Sequence, residues 1–201
     1  MVTLYALKPR FQALLRPVAR GLVRAGVRAN HVTVAALGAS LGYAVALSLS
    51  GAAAWLLAGL APFLLVRMAL NALDGMMARD HGQTSRTGDV LNELGDVLSD
   101  AALILALGSL PAIGLGPAAV LALWAVLTEF AGVLAQAVGG PRRYDGPMGK
   151  SDRAAGLAGL GLIAALAPLP AGLGWVLAGA GGCLMALTML RRLRPMPGVT
   201  A

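Results

Sequence analysis

Between Asn71 and Asp100 the chain reads NALDGMMARDHGQTSRTGDVLNELGDVLSD, and six of the protein's nine acidic residues fall in these thirty positions. They are Asp74, Asp80, Asp89, Glu93, Asp96 and Asp100. Asn71, Asp74 and Ala78 are spaced three and four apart, which places them on one face of a helix. Gly88, Asn92, Asp96 and Asp100 recur every fourth residue and share a face of a second helix. The stretch Gly82–Gly88 offers a short polar turn, so the two helices can run antiparallel with their oxygen atoms converging. A hard, oxygen-only donor set of this kind suits Mg²⁺, Mn²⁺ or Ca²⁺ and lacks the Cys and His ligands of a zinc site. Gly75, Ala78, Gly88 and Gly95 have little or no side chain and leave room for a bulky ligand. Arg79 can offer a forked guanidinium to a phosphate. Together these groups suit the handling of a diphosphate with a divalent cation. Two blander readings stand beside this one. The carboxylates could pair with Arg67, Arg79 and Arg86 as helix-to-helix glue, or face water near an interface. For Asp80 and Asp89 taken singly, these readings fit better than a catalytic one.

The elements that must carry these residues follow from composition. Of 201 residues, 58% are apolar and only 12% are charged, with a mean hydropathy of +0.76. Soluble domains carry about 25% charged residues, so a water-soluble globule is excluded. Disorder is excluded too, because disordered chains lack apolar residues rather than abounding in them. The 27 glycines have no three-residue period, and the single Cys183 rules out an intrachain disulfide framework. The fold expected is an all-α polytopic membrane protein. Apolar stretches near the ~20 residues needed to cross hydrocarbon read at His31–Gly51, Ala52–Ala72, Leu91–Pro111, Ile113–Val138, Ala154–Leu169 and Gly172–Leu190. These make six transmembrane helices over residues 31–193, with a short tail at 194–201.

Placement of the sixteen Lys and Arg residues orients that bundle. They fall before span one, in or just after span two, between spans four and five, and after span six. The connections near Ser48–Gly51, Ser109–Gly116 and Pro168–Ala171 have none. Positive charge marks the cytoplasmic side, so both termini are expected in the cytoplasm. The net charge of +7 is therefore a topology signal and calls for no nucleic-acid partner. Residues 1–30 have no continuous apolar region of the kind a cleavable signal needs. Instead Arg16, Arg20, Arg24 and Arg28 alternate with Leu14, Leu15, Val18, Leu22 and Val23. That pattern predicts an amphipathic helix on the cytoplasmic face of the membrane, starting near Pro17 or kinked by it. A flexible basic flank is the alternative.

A second polar cluster, Pro141–Arg153, follows span four. Arg142 and Arg143 read equally well as topology signals. Ser151 is expected to cap span five, with Lys150 and Arg153 toward the cytoplasmic cavity, where they would bind an anionic acceptor or the donor diphosphate. Glu129 in span four is expected to pair with an arginine of this cluster or to face the cavity. His31 and His81 read as interface residues, and Gly38, Gly42, Gly156 and Gly159 as sites of close helix packing.

The polar residues of spans two and three resemble the signature of the CDP-alcohol phosphotransferases, D-x2-D-G-x2-A-R-x8-G-x3-D-x3-D. Here it is Asn71-x2-Asp74-Gly75-x2-Ala78-Arg79, eight residues, Gly88-x3-Asn92-x3-Asp96, with six of eight identities kept. The Asn30–Thr33 start of span one resembles the Asn-x-x-Thr common in the family. The resemblance implies transfer of a phospho-alcohol group from a CDP-linked donor, such as CDP-diacylglycerol, to an acceptor hydroxyl with release of CMP. It implies two divalent cations, Mg²⁺ or Mn²⁺, held by Asn71, Asp74, Asn92 and Asp96. Asp96 matches the family's general base, while Gly75, Ala78, Arg79 and Gly88 would line the CDP pocket. A homodimer is usual in the family. Asn at 71 and 92 removes two negative charges, for which Glu93 and Asp100 are expected to compensate. A small transporter and a catalytically degenerate scaffold remain as rivals.

Overall fold

The structure, a computed structural model, describes residues 4–194. Residues 195–201, nearly all of the expected tail, lie outside the described residues. Among the described residues every regular element is a helix. Its elements are α1 (Leu4–Arg24), α2 (Ala29–Leu49), α3 (Ala54–Asp80), α4 (Arg86–Ala106), α5 (Leu115–Ala137), α6 (Lys150–Leu166) and α7 (Leu173–Leu193). One 3₁₀ turn, Leu107–Ser109, follows α4. The α2–α3 and α3–α4 turns each use a glycine in the left-handed region, Gly51 at φ 62° and Gly82 at φ 66°, where a side chain would be strained.

Among the described residues four helices are long and apolar enough to cross a membrane: α2, α3, α5 and α7. The other two expected spans fall short for different reasons. At 21 residues α4 is about 31 Å long at ~1.5 Å per residue, but it carries Arg86, Asp89, Glu93, Asp96 and Asp100. Seventeen residues make α6 shorter, and it opens with Lys150, Asp152 and Arg153. Both helices begin earlier than their apolar stretches, because polar side chains do not interrupt main-chain hydrogen bonding. The amphipathic N-terminal helix forms as α1, and Pro17 lies inside it rather than at its start. Arg16, Arg20 and Arg24 are exposed along with Leu14 and Val18, while Ala19 is buried.

The chain forms two compact units. The first takes in the chain up to Ser40 together with Pro62–Leu98. Its core joins Ala19 of α1, Ala29 and Val32 of α2, and Leu73, Met76 and Met77 of α3. The second takes in Leu41–Ala61 and the chain from Ser99 onward. Here α5 and α7 pack along each other, and Gly182 lies against the Trp124 indole. The Tyr43 hydroxyl donates to the main-chain carbonyl of Leu56 at 2.5 Å, tying α2 to the start of α3. On α6, Gly161 faces the Leu57 carbonyl, which a Cβ would meet at 2.9 Å.

This close approach yields a paired prediction. Gly161→Ala should lower stability by about 1–3 kcal/mol, the usual effect of overpacking, in thermal unfolding of the detergent-solubilised protein. Gly159→Ala, where a Cβ meets nothing within 4 Å, should leave stability unchanged or raise it slightly.

Candidate active site

In the first unit the signature residues lie on the last turns of α3 and the first turns of α4. Asp74 is buried and accepts a hydrogen bond from the Thr33 hydroxyl of α2 at 2.7 Å. Across the α3–α4 pair, Asn71 Nδ2 donates to Asp96 Oδ1 at 2.8 Å. Arg67, buried one turn before Asn71, approaches the same Oδ1 at 3.5 Å and donates to the Asp96 main-chain carbonyl at 3.3 Å. The expected convergence of the two helices is therefore present at Asn71 and Asp96, with Asp74 one turn beyond Asn71 on α3. Glu93 is half-buried, whereas Asn92, Arg79, Asp80 and Asp89 are exposed.

Packing explains the small residues more closely than ligand size alone. A Cβ on Gly75 would come within 3.1 Å of the Arg79 guanidinium, so this glycine makes room for the arginine of its own motif. A Cβ on Gly88 would come within 2.7 Å of Asn30 Oδ1. Gln83 in the α3–α4 turn accepts a hydrogen bond from the Ala29 amide at 2.7 Å, capping α2 against the site. Asn30 and Thr33 thus gain roles that their place in the sequence did not reveal: one fills the space above Gly88 and the other holds Asp74.

The donor chemistry fits a hard divalent cation, since Asp74, Asp96, Glu93 and the carboxamides of Asn71 and Asn92 supply only oxygen ligands. Among the described residues no group of three or more His, Cys, Asp or Glu side chains gathers as a ready-made metal cage. The carboxamide of Asn71 therefore belongs to the set by position, while its amino group holds Asp96 in place. Opposing the half-buried carboxylate of Asp96 is the Arg67 guanidinium.

Asp100, expected one turn further along the metal face, belongs to the second unit. There it is buried and accepts from Arg153 at 2.8 Å. Arg153, expected to meet a substrate anion, is itself buried and also bonds Glu129 at 3.0 Å and the Thr128 hydroxyl at 3.2 Å. Glu129 also receives Arg142 at 3.1 Å and Arg192 at 3.3 Å. Arg192 further donates to the Thr128 carbonyl at 2.6 Å and to the Asp145 carbonyl at 3.2 Å. The predicted pairing of Glu129 with that cluster is realised twice, by Arg142 and Arg153, and Arg192 of α7 adds a third partner. Gly132 gives space to the Arg142 side chain, which lies 4.9 Å from the centre of the Tyr144 ring. Lys150 is half-buried at the start of α6. Ser151 is exposed and does not cap that helix. Asp152 does, accepting from the Gly149 amide at 2.9 Å. In the preceding loop Arg143 donates twice to Asp145, and this pairing holds the carboxyl below the ordinary carboxylate range.

Among the described residues, seven α-helices with a polar, signature-bearing pair at α3 and α4 describe one class of protein. The profile of the CDP-alcohol phosphatidyltransferases matches residues 27–190, and the chain belongs to that family. With its four apolar helices it is an integral membrane protein. It is 46% identical over 167 residues to the inner membrane protein YnbA of Escherichia coli (strain K12), a match covering 83% of each chain. Its fold is shared with Mycobacterium tuberculosis phosphatidylinositol phosphate synthase, solved in complex with manganese and citrate. The two superpose with a TM-score of 0.72 at 24% identity, covering 88% of this chain and 86% of that one. A second crystal structure of that synthase, with CDP-DAG bound, gives the same TM-score and identity and covers 90% of that chain.

The Glu129 cluster carries its own test. Glu129→Ala removes the shared partner of three arginines and should cost about 3–5 kcal/mol of stability, the range for breaking a buried ion pair from one side. Thermal unfolding in detergent reads this directly. A loss below about 1 kcal/mol, the range of a solvent-exposed pair, would show that the arginines are solvated without it.

Proposed function

We propose that this protein is a metal-dependent transferase. It moves a phosphatidyl group from a CDP-linked donor, CDP-diacylglycerol, to an acceptor hydroxyl with release of CMP, in phospholipid synthesis. The observation that carries this reading is the Asn71–Asp96 contact joining α3 to α4 at 2.8 Å, with Asp74 beside it on α3. It brings the two halves of the family signature together in space. The related synthase crystallised with manganese and with CDP-DAG supports the choice of ion and donor.

Asn71, Asp74, Asn92, Asp96 and Glu93 would hold Mg²⁺ or Mn²⁺. When bound, the ion neutralises the diphosphate and the charge that builds on phosphorus oxygens during displacement. Arg79, at the exposed end of α3, meets the CMP phosphate, and the Gly75–Ala78 and Gly88 surfaces accommodate the nucleotide. Lys150 adds positive charge for an anionic substrate. In the chemical step the acceptor oxygen attacks the phosphorus that bears the diacylglycerol. The bond from that phosphorus to the bridging oxygen breaks, and CMP leaves with that oxygen. The acceptor's proton passes to the Asp96 carboxylate, which Asn71 and Arg67 hold in place. With α4 and α6 crossing as well, the bundle has six spans and places this chemistry at the cytoplasmic leaflet, with both termini on that side.

Purified protein given CDP-diacylglycerol, Mn²⁺ and a panel of alcohols should release CMP with at least one acceptor, and Asp96→Asn should lower that rate by at least about a hundredfold. No release with any acceptor, or release that survives Asp96→Asn, overturns the reading.

Charge sets a further expectation. Asn71 and Asn92 leave the site two charges short of the family pattern, and the Asp100 carboxylate is matched by Arg153. Asn71→Asp combined with Asn92→Asp should therefore tighten Mn²⁺ binding by about tenfold or more, since a full charge on a ligand outweighs a carboxamide dipole. Calorimetric titration of the metal checks this. Unchanged affinity would show that the site's electrostatics do not rest on these positions.

A further inference from the structure

Arg67 lies one turn before Asn71 on α3, on the face that Asn71 and Asp74 share. It is 4% exposed, and its guanidinium meets two atoms of Asp96, the main-chain carbonyl at 3.3 Å and the carboxylate Oδ1 at 3.5 Å. The same Oδ1 accepts from the Asn71 amino group at 2.8 Å. One oxygen of Asp96 is thus engaged by protein donors, a fixed cation among them. Asp74 likewise has one oxygen, Oδ2, engaged by the Thr33 hydroxyl at 2.7 Å.

Because a short turn joins α3 to α4, the contact between Asn71 and Asp96 sets their register as an antiparallel pair. One turn along α3 toward the connection is Asp74, and the matching step along α4 reaches Asn92 and Glu93. One turn the other way along α3 is Arg67. Two-ion phosphoryl-transfer sites hold their cations ~3.5–4 Å apart, less than one helical turn of ~5.4 Å. Two ions sharing Asp96 would therefore lie on either side of it along the pair. On the side toward the connection stand Asp74 and the Asn92–Glu93 level. On the other side stands the Arg67 guanidinium. Charge points the same way. Asn at 71 and 92 leaves Asp74 and Asp96 as the anionic members of the four signature positions, which one divalent ion balances. A second ion at Asp96 would meet the positive charge of Arg67, and a protein interior screens like charges poorly.

We propose that Arg67 takes the place of a second metal cation, so that this site holds one divalent ion, on the Asp74 side of Asp96. Arg67 is then a positioning residue: it acts through Asp96, supplying from the protein a positive charge that a two-ion site would draw from solution. The choice of ion and donor is that of the transferase reading, on which this proposal rests.

The test counts Mn²⁺ on the full chain in detergent, by calorimetric titration and by electron paramagnetic resonance, with and without CDP-diacylglycerol. Ions as close as a two-ion site holds them broaden each other's resonance lines, so the count and the spectrum report independently. The unaltered protein should take one Mn²⁺ per chain and give the spectrum of an isolated ion. Asn71→Asp combined with Asn92→Asp should bind that ion more tightly and still take only one. Adding Arg67→Met to the pair should admit a second ion and broaden the spectrum. Adding Arg67→Lys instead keeps the positive charge and should hold the count at one. Thermal unfolding checks that each variant is folded, and the count on the unaltered protein decides the proposal without them. Two ions per chain in the unaltered protein, or none, would overturn it. So would a folded Arg67→Met variant of the pair that still takes one. CMP release from the same protein keeps the two readings apart. Release alongside two bound ions overturns only the ion count, and one bound ion with no release to any acceptor overturns only the transferase.

Discussion

An ionised carboxylate inside an apolar bundle is stable only if cations and hydrogen bonds replace the water it has lost. Glu129 sets that constraint here. Its two oxygens are reached by Arg142 from the loop after α5, Arg153 from α6 and Arg192 from α7. Arg153 also reaches Asp100 at the point where α4 enters the second unit. Five segments of chain, α4, α5, the loop after it, α6 and α7, are therefore anchored to one another by charges that none of them could bury alone. Thr128 adds its hydroxyl and its carbonyl to the same network. Because each arginine has more than one partner, the cluster fixes directions as well as distances, as forked guanidinium groups do.

The first unit solves a related problem with fewer charges. Asp74 and Asp96 are positioned by a hydroxyl, a carboxamide and one guanidinium, from Thr33, Asn71 and Arg67. Asn at position 71 binds Asp96 through its amino group, where a second carboxylate would push it away. The substitution that looked from the motif like a lost ligand also acts as a brace.

Much of this arrangement was legible in the chain. Three- and four-residue spacing placed Asn71 with Asp74, and Asn92 with Asp96, on helix faces, and the polar turn between them implied an antiparallel pair. Glu129 within an apolar stretch pointed to an arginine partner. What remained hidden was every contact that joins distant segments. Thr33 and Asp74 are 41 positions apart and Arg192 and Thr128 are 64 apart, and no local periodicity encodes such separations. Asp100 shows the limit most clearly. By spacing it continues the metal face, but one helical turn beyond Asp96 its neighbour is Arg153, and ion pairing takes precedence over register. Ser151 had the residue type of a helix cap, yet Asp152 accepts the bond, because the helix begins one residue earlier.

By itself the sequence determined the class of solvent, the helical nature of every described element, and the residues that carry the family signature. Those properties follow from composition and short-range spacing, which the main chain turns into helices and faces without reference to the rest of the molecule. Only the tertiary structure decided which carboxylates remain with the signature and which are neutralised by arginine. Those outcomes depend on which side chains meet when helices pack, and in a low-dielectric interior the nearest opposite charge prevails.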